Sequence, residues 1–303
     1  MLTVENLSVS FTQYQKGLRQ TQIEVISDLS VAAFPGEILA IVGASGSGKS
    51  LLAHAILGIL PPNATVTGTM LYQGKPLDKK LQEHLRGSKI ALIPQSVNCL
   101  NPLLKVGAQV GEKGALQTAA RRDIFKRFGL PDNVANLYPH ELSGGMARRV
   151  LVAAAVIGGA QLIIADEPTP GLHPEVAMDT LMYLRQQADA GAAVVLITHD
   201  IGTALQVADR VSVFFAGTNI ELAQKHDFIQ RGEKLRHPYS KALWKALPQN
   251  EFAVTCARQP ALDQRDSGCI FEAVCSHKTA ECCQHKPAMR ELREGKVRCH
   301  HAT

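Results

Sequence analysis

Eight consecutive residues, Gly43-Ala44-Ser45-Gly46-Ser47-Gly48-Lys49-Ser50, have the types and spacing of a phosphate-binding loop. Small residues let backbone N–H groups close on phosphate oxygens at the N-terminus of the helix that follows. In such a loop Lys49 neutralises the β and γ phosphates and Ser50 ligates Mg²⁺. Gly43, Ser45, Gly46, Gly48, Lys49 and Ser50 are therefore the candidate nucleotide contacts. The loop alone does not choose among kinases, GTPases and ATPases. Leu162-Ile163-Ile164-Ala165-Asp166-Glu167 narrows the choice, being an apolar run that ends in two carboxylates. Asp166 suits the Mg²⁺ shell, and Glu167 suits a general base beside an attacking water.

Leu142-Ser143-Gly144-Gly145-Met146 opens a helix predicted through residue 157. Its N-terminal N–H groups and dipole would bind an anion at Ser143, Gly144 and Gly145. Ser-Gly-Gly before a helix is by itself a routine cap. Placed about twenty residues before the Asp-Glu strand, it makes the sequence resemble the ATP-binding subunits of ABC transporters, whose signature reads Leu-Ser-Gly-Gly-Gln. The resemblance covers nearly the whole chain. It implies that Gln95 is the Q-loop glutamine, reaching Mg²⁺ and relaying contact to a membrane subunit. It likewise implies that His199, in Thr198-His199-Asp200, is the switch histidine near the γ-phosphate. Phe11 stands where the family has an aromatic that stacks on adenine; Tyr14 is an alternative, and core packing is an open reading for both.

In that family two such domains dimerise head to tail, the signature of one facing the phosphate loop of the other. With one set of motifs, this chain is expected to pair with a second ATP-binding subunit. Met146 replaces the usual signature Gln, and His173 stands where the family has the D-loop Asp. Neither change touches Lys49, Asp166, Glu167 or His199, and the expectation is an asymmetric pair with a non-identical partner. The resemblance also implies two integral membrane permease subunits and, indirectly, an extracytoplasmic solute-binding protein.

Positioning these residues requires an α/β fold. Alternation of apolar and polar residues over 2–11 and a strand-like run over 23–31 predict an antiparallel β region. Residues 37–42 read as a buried strand feeding the glycine-rich turn and a helix over 49–60 that Pro61 and Pro62 end. Apolar runs at 90–93, 162–165, 194–198 and 211–215, separated by helical patterns, predict a largely parallel sheet covered by helices. Together with this pattern, the resemblance implies a phosphate-loop NTPase domain of the ABC ATPase type over residues 1–231 as the expected fold class. It has a mixed sheet, an antiparallel β region and an inserted helical subdomain over about 95–140. Residues 232–303 form a small Cys-rich extension.

The 303 residues are 46% apolar and 19% charged, enough for a sizeable buried core and unlike a disordered chain. Residues 231–303 hold 13 Lys and Arg against 8 Asp and Glu, which accounts for the whole net charge of +5. So modest a surplus does not make the protein a nucleic-acid binder. The start lacks the basic and apolar regions of a signal peptide, and the apolar stretch at 150–165 is short of a bilayer span, so the chain is expected at the cytoplasmic face of a membrane through its partners.

His237-Pro238-Tyr239-Ser240-Lys241-Ala242-Leu243 resembles the His-Pro-Tyr segment of the oligopeptide, dipeptide and nickel importers. Six of the seven cysteines follow it, and Cys269, Cys275, Cys282 and Cys299 run as C-x5-C-x6-C-x16-C. Four thiolates satisfy either Zn²⁺ or a [4Fe–4S] cluster, and the spacing lacks the paired knuckles of zinc ribbons. The subfamily resemblance favours the iron–sulfur cluster, with zinc as the alternative. Cys283 could substitute for Cys282, while Cys99 and Cys256 read as ordinary thiols. Met146 and Phe215-Ala216-Gly217-Thr218 lean toward a nickel or metal-chelate cargo over a peptide. A soluble ABC-type ATPase acting on nucleic acid or ribosomes is the rival reading; it lacks the second nucleotide domain or coiled-coil insertion usual in that class.

Overall fold

A computed structural model describes residues 1–14, 20–111, 115–229, 232–252, 259–260 and 268–303, with the side chains of 115–117 left out. Cys256 lies outside the described residues. The chain passes back and forth between two compact units, so neither is one contiguous segment.

The first unit takes residues 33–38 and 78–198. Its sheet is parallel, in the order β6 (Ile90–Ile93), β7 (Leu162–Asp166), β8 (Ala193–Thr198). Every residue of β7 and β8 is buried, as a parallel strand covered on both faces requires. The unit also holds α2 (Lys79–Leu85), α3 (Val106–Gln109), α4 (Ala115–Arg127), α5 (Gly144–Val156) and α6 (Pro174–Asp189), of which α5 packs against β6 and α6 against β8. Among the described residues of 95–140 there are helices and 3₁₀ turns and no strand.

The second unit takes residues 2–32, 39–77 and 199–303. One sheet is antiparallel, ordered β2 (Gln20–Ala33), β1 (Leu2–Tyr14), β4 (Ala64–Tyr72), β5 (Lys75–Pro76). Strand β4 was not foreseen: it is rich in threonine and mostly exposed, so it lacks the apolar alternation that marks β1. The remaining strands run β3 (Ile38–Val42), β9 (Arg210–Phe215), β10 (Thr218–Gln224), β12 (Gly295–Val297), β11 (Arg290–Leu292). The β3–β9 pair is parallel and the other three pairs are antiparallel. Helices α1 (Lys49–Leu57), α7 (Ile201–Val207), α8 (Lys225–Ile229), α9 (Pro238–Lys245) and α10 (Ala280–Gln284) complete it. Helix α1 ends three residues before the expected residue 60, because Gly58 adopts a left-handed φ of 65° and caps it ahead of Pro61.

The tail is fastened by buried charge as well as by strands. Arg236 donates to Glu221 at 3.3 Å and to Asp227 at 2.8 Å, all three side chains being buried, and its Nε donates to the Leu292 carbonyl. The Glu221 carboxylate also accepts from the backbone N–H groups of Arg236 and His237, so this buried charge has its hydrogen bonds. Arg298 of the tail donates to Asp28 of β2 at 2.7 Å.

Candidate functional site

Strand β3 delivers the chain into the glycine-rich loop, and α1 begins as the loop ends, with Gly48 as its N-cap. A Cβ on Gly43 would stand 2.3 Å from the Phe214 carbonyl oxygen, so only glycine fits where the loop leaves the sheet. Gly46 and Gly48 have φ of 77° and 98°, the left-handed region that glycine enters without steric cost. Lys49 is buried, and its Nζ donates to the carbonyls of Gly43 (2.8 Å) and Ala44 (2.9 Å). The loop thus places a cation and a helix N-terminus together, the chemistry that an oligophosphate needs. Ser50 is partly buried in the first turn of α1, and Phe11 is partly buried on β1. Tyr14 is 69% exposed, and its hydroxyl accepts from Gln20. His199 is exposed and follows β8, and Asp200 caps α7 by accepting from the Thr203 N–H.

The other half of the predicted residues falls in the first unit. Asp166 is the last residue of β7 and is 3% exposed; Glu167 follows at 6%. Glu167 has φ 48°, a left-handed conformation that costs a non-glycine residue roughly 1–3 kcal/mol and marks functional turns. Its N–H donates to the Ile197 carbonyl at 2.9 Å, and its carboxylate accepts from the Thr198 hydroxyl at 3.5 Å. Gln95 is exposed just after β6. Ser143 caps α5 through its hydroxyl, which accepts from the Met146 N–H at 3.3 Å, and Gly144 and Gly145 form the first turn. His173 is the N-cap residue of α6, its side chain largely exposed.

Sequence reasoning missed Arg148. It is 8% exposed on α5, and its Nη1 donates to the carbonyls of Glu167 (3.0 Å) and Pro94 (3.2 Å). Burial lowers its pKa, and the charges of Glu167 and Asp166 offset part of that shift. One side chain therefore joins the signature helix, the residue before Gln95 and the residue after Asp166. The adjacent Arg149 reads the same in sequence but bonds the carbonyls of Phe128 and Gly129 instead.

In the tail, Cys269, Cys282 and Cys299 are buried, Cys275 is partly buried and Cys283 is exposed; Cys99, far upstream, is exposed, and all six are free thiols. Burial, followed by the nearby Cys282, Cys299 and Cys275, pushes the Cys269 thiol up to about 11. Cys282, Cys299 and Cys275 thus lie within electrostatic reach of Cys269. Cys282 Sγ also lies 3.4 Å from His301 Nε2. Among the described residues no three His, Cys, Asp or Glu side chains are gathered to hold a metal ion. Tetrahedral zinc needs four ligands at about 2.0–2.3 Å, and the structure lends it no support; it lends none to the iron–sulfur cluster either.

The dipeptide transport ATP-binding protein DppD of Bacillus subtilis is 36% identical to this chain over 305 residues, covering 93% of this chain and 88% of that one. The chain belongs to the ABC transporter family. A sequence model of the family described as ABC transporter matches residues 26–170. A second, described as the C-terminal region of oligopeptide/dipeptide transporters, matches residues 220–282. The oligopeptide transport ATP-binding protein OppD of Lactococcus lactis is 36% identical over 270 residues, covering 83% of this chain and 77% of that one. A solved dimeric ATP-binding cassette, in a post-hydrolysis state with ADP and phosphate, superposes with a TM-score of 0.64. It is 26% identical and covers 74% of this chain and 99% of that one. This ABC subunit is an ATPase, with the ABC ATPase fold. Among its described residues no helix is long and apolar enough to cross a membrane.

Proposed function

We propose that this ABC ATPase drives an importer of dipeptides or oligopeptides from the cytoplasmic face of a membrane. The observation that carries the reading is similarity along nearly the full chain, tail included, to proteins named for dipeptide and oligopeptide transport. The lean toward nickel is given up on the same ground. Nothing found favours the nucleic-acid reading.

In this reading Lys49 and the N–H groups of the loop hold the phosphates of ATP, and Phe11 stacks on adenine. Ser50, Asp166 and Gln95 hold Mg²⁺, which supplies charge neutralisation on the phosphates. Glu167 orients and deprotonates water, and His199 stabilises the γ-phosphate. Ser143, Gly144 and Gly145 serve the nucleotide of a second ATP-binding subunit, non-identical because Met146 and His173 alter the dimer motifs. The helices of residues 95–140 pass dimer closure to two permease subunits, which receive solute from an extracytoplasmic binding protein. The four tail thiols are the candidate ligands of an iron–sulfur cluster, a reading that rests on their spacing.

Uptake of a labelled dipeptide and of labelled nickel in cells carrying Glu167→Gln tests the assignment. Loss of dipeptide uptake with nickel uptake intact is expected. Loss of nickel uptake alone would overturn it.

A further inference from the structure

The phosphate loop has a contact that its own motif does not contain. Tyr239, in the first turn of α9, is 5% exposed, and its hydroxyl is hydrogen-bonded to the backbone of Ala44. Ala44 directly follows Gly43, and the carbonyls of both accept from Lys49. The segment that must present N–H groups to phosphate is therefore held by the Lys49 amine and by a phenol from the tail.

The ring of Tyr239 is itself held by neighbours. It lies 4.6 Å from the Phe215 ring and 5.6 Å from the Phe271 ring, centroid to centroid. Phe271 also packs edge-on against Phe215 and His237, each at 5.5 Å. The backbone of Phe271 hydrogen-bonds the thiol of Cys269, two residues earlier. The Cys269 N–H donates to the Cys282 carbonyl at 2.7 Å, and a Cβ on Gly268 would stand 2.4 Å from that same oxygen. Cys269, Phe271, Tyr239 and Ala44 thus form a continuous line of contact within one unit. Close-packed interiors transmit small displacements along such a line.

We propose that Tyr239 is a positioning residue for the nucleotide site, and that Phe271 makes the phosphate loop sensitive to how the Cys269 thiol is held. The first half rests on the ATPase activity alone. The second stands whether the thiols are bare or carry a ligand, because it concerns the shape of the 268–271 segment. Coupling of this kind is reciprocal, so nucleotide at the loop alters the thiol segment in turn.

The test uses the full chain without permeases, so its outcome is independent of the transported solute. Tyr239→Phe keeps the ring and removes only the hydroxyl. It is expected to raise the Kd for MgATP about threefold to tenfold, the range for one lost hydrogen bond, with the nucleotide-free protein still folded and unfolding in a single cooperative transition. Wild-type affinity in Tyr239→Phe would overturn the positioning role. In the assembled transporter the same variant raises KM and leaves kcat in place; an equal fall in kcat with unchanged KM would count against it. Cys269→Ser and Phe271→Leu are each expected to raise the Kd, and to add nothing when combined with Tyr239→Phe. Full additivity of both combinations would overturn the link from the thiol.

Discussion

The buried guanidinium of Arg148 donates a hydrogen bond to the backbone carbonyl of Glu167 at 3.0 Å, from a helix that begins with the signature glycines. Glu167 holds a left-handed backbone that its own side chain does not favour, and this bond is one of the constraints that keep it there.

Replacing Arg148 by Ala removes charge-assisted bonds to both Glu167 and Pro94, each worth about 1.5–3 kcal/mol. ATP hydrolysis is expected to fall about tenfold or more while MgATP binding persists. Parallel measurement of turnover and nucleotide affinity checks this, and an unchanged turnover would sink the idea that Arg148 sets the geometry of Glu167.

Gly43 and Gly46 predict two different failures. Gly43→Ala places a methyl 2.3 Å from the Phe214 carbonyl, so loop or strand must shift. A stability loss of about 1–3 kcal/mol and at least tenfold weaker nucleotide binding are expected. A Cβ on Gly46 meets nothing within 4 Å, and only its φ of 77° opposes Gly46→Ala. That substitution is expected to cost about 1–2 kcal/mol. Denaturant melts of the two variants give the comparison; equal effects would refute the steric argument.

His237 predicts a pH dependence of stability. Its Nδ1 accepts from the Tyr239 N–H at 3.0 Å, which requires a neutral ring, and its Nε2 has no hydrogen-bond partner among the described residues. Burial lowers its pKa from 6.5 to about 3. Between these values the unfolded chain binds the proton and the folded chain does not. Stability is therefore fully present above the unfolded pKa and is lost as pH falls through the window toward the folded one. Asn at this N-cap can accept the same bond. His237→Asn is thus expected to lose less thermal stability than the wild type between about pH 7 and pH 5. Identical pH slopes would refute the assignment.

Four thiols at C-x5-C-x6-C-x16-C spacing predict about four irons and broad visible absorbance per anaerobically purified chain, lost in Cys299→Ser. Metal analysis decides it. Colourless protein holding one tightly bound zinc would overturn the iron–sulfur reading.

The glycine-rich turn and the paired carboxylates were legible because each is a local pattern. Gly43 to Ser50 form one turn between a strand and a helix, and Asp166 and Glu167 end one strand, so spacing along the chain carries their chemistry. The buried strands were legible because residues covered on both faces read as unbroken apolar runs, as in β7 and β8. Strand β4, exposed and threonine-rich, had no such mark, and β11 and β12 are too short to show a period.

By itself the sequence determined the loop, the paired carboxylates, the signature cap and the parallel strands that place them. Only the tertiary structure decided which polar side chains are buried against partners far along the chain. Arg148 and Arg149 are neighbours on one helix, yet only Arg148 reaches Glu167 and Pro94. Glu221 alternates in β10 like a solvent-facing residue, yet it is fully buried against Arg236. Tyr239 stands 195 positions from Ala44 and bonds to its backbone. Burial of a polar group depends on what other segments bring to it, and local composition carries no record of those segments.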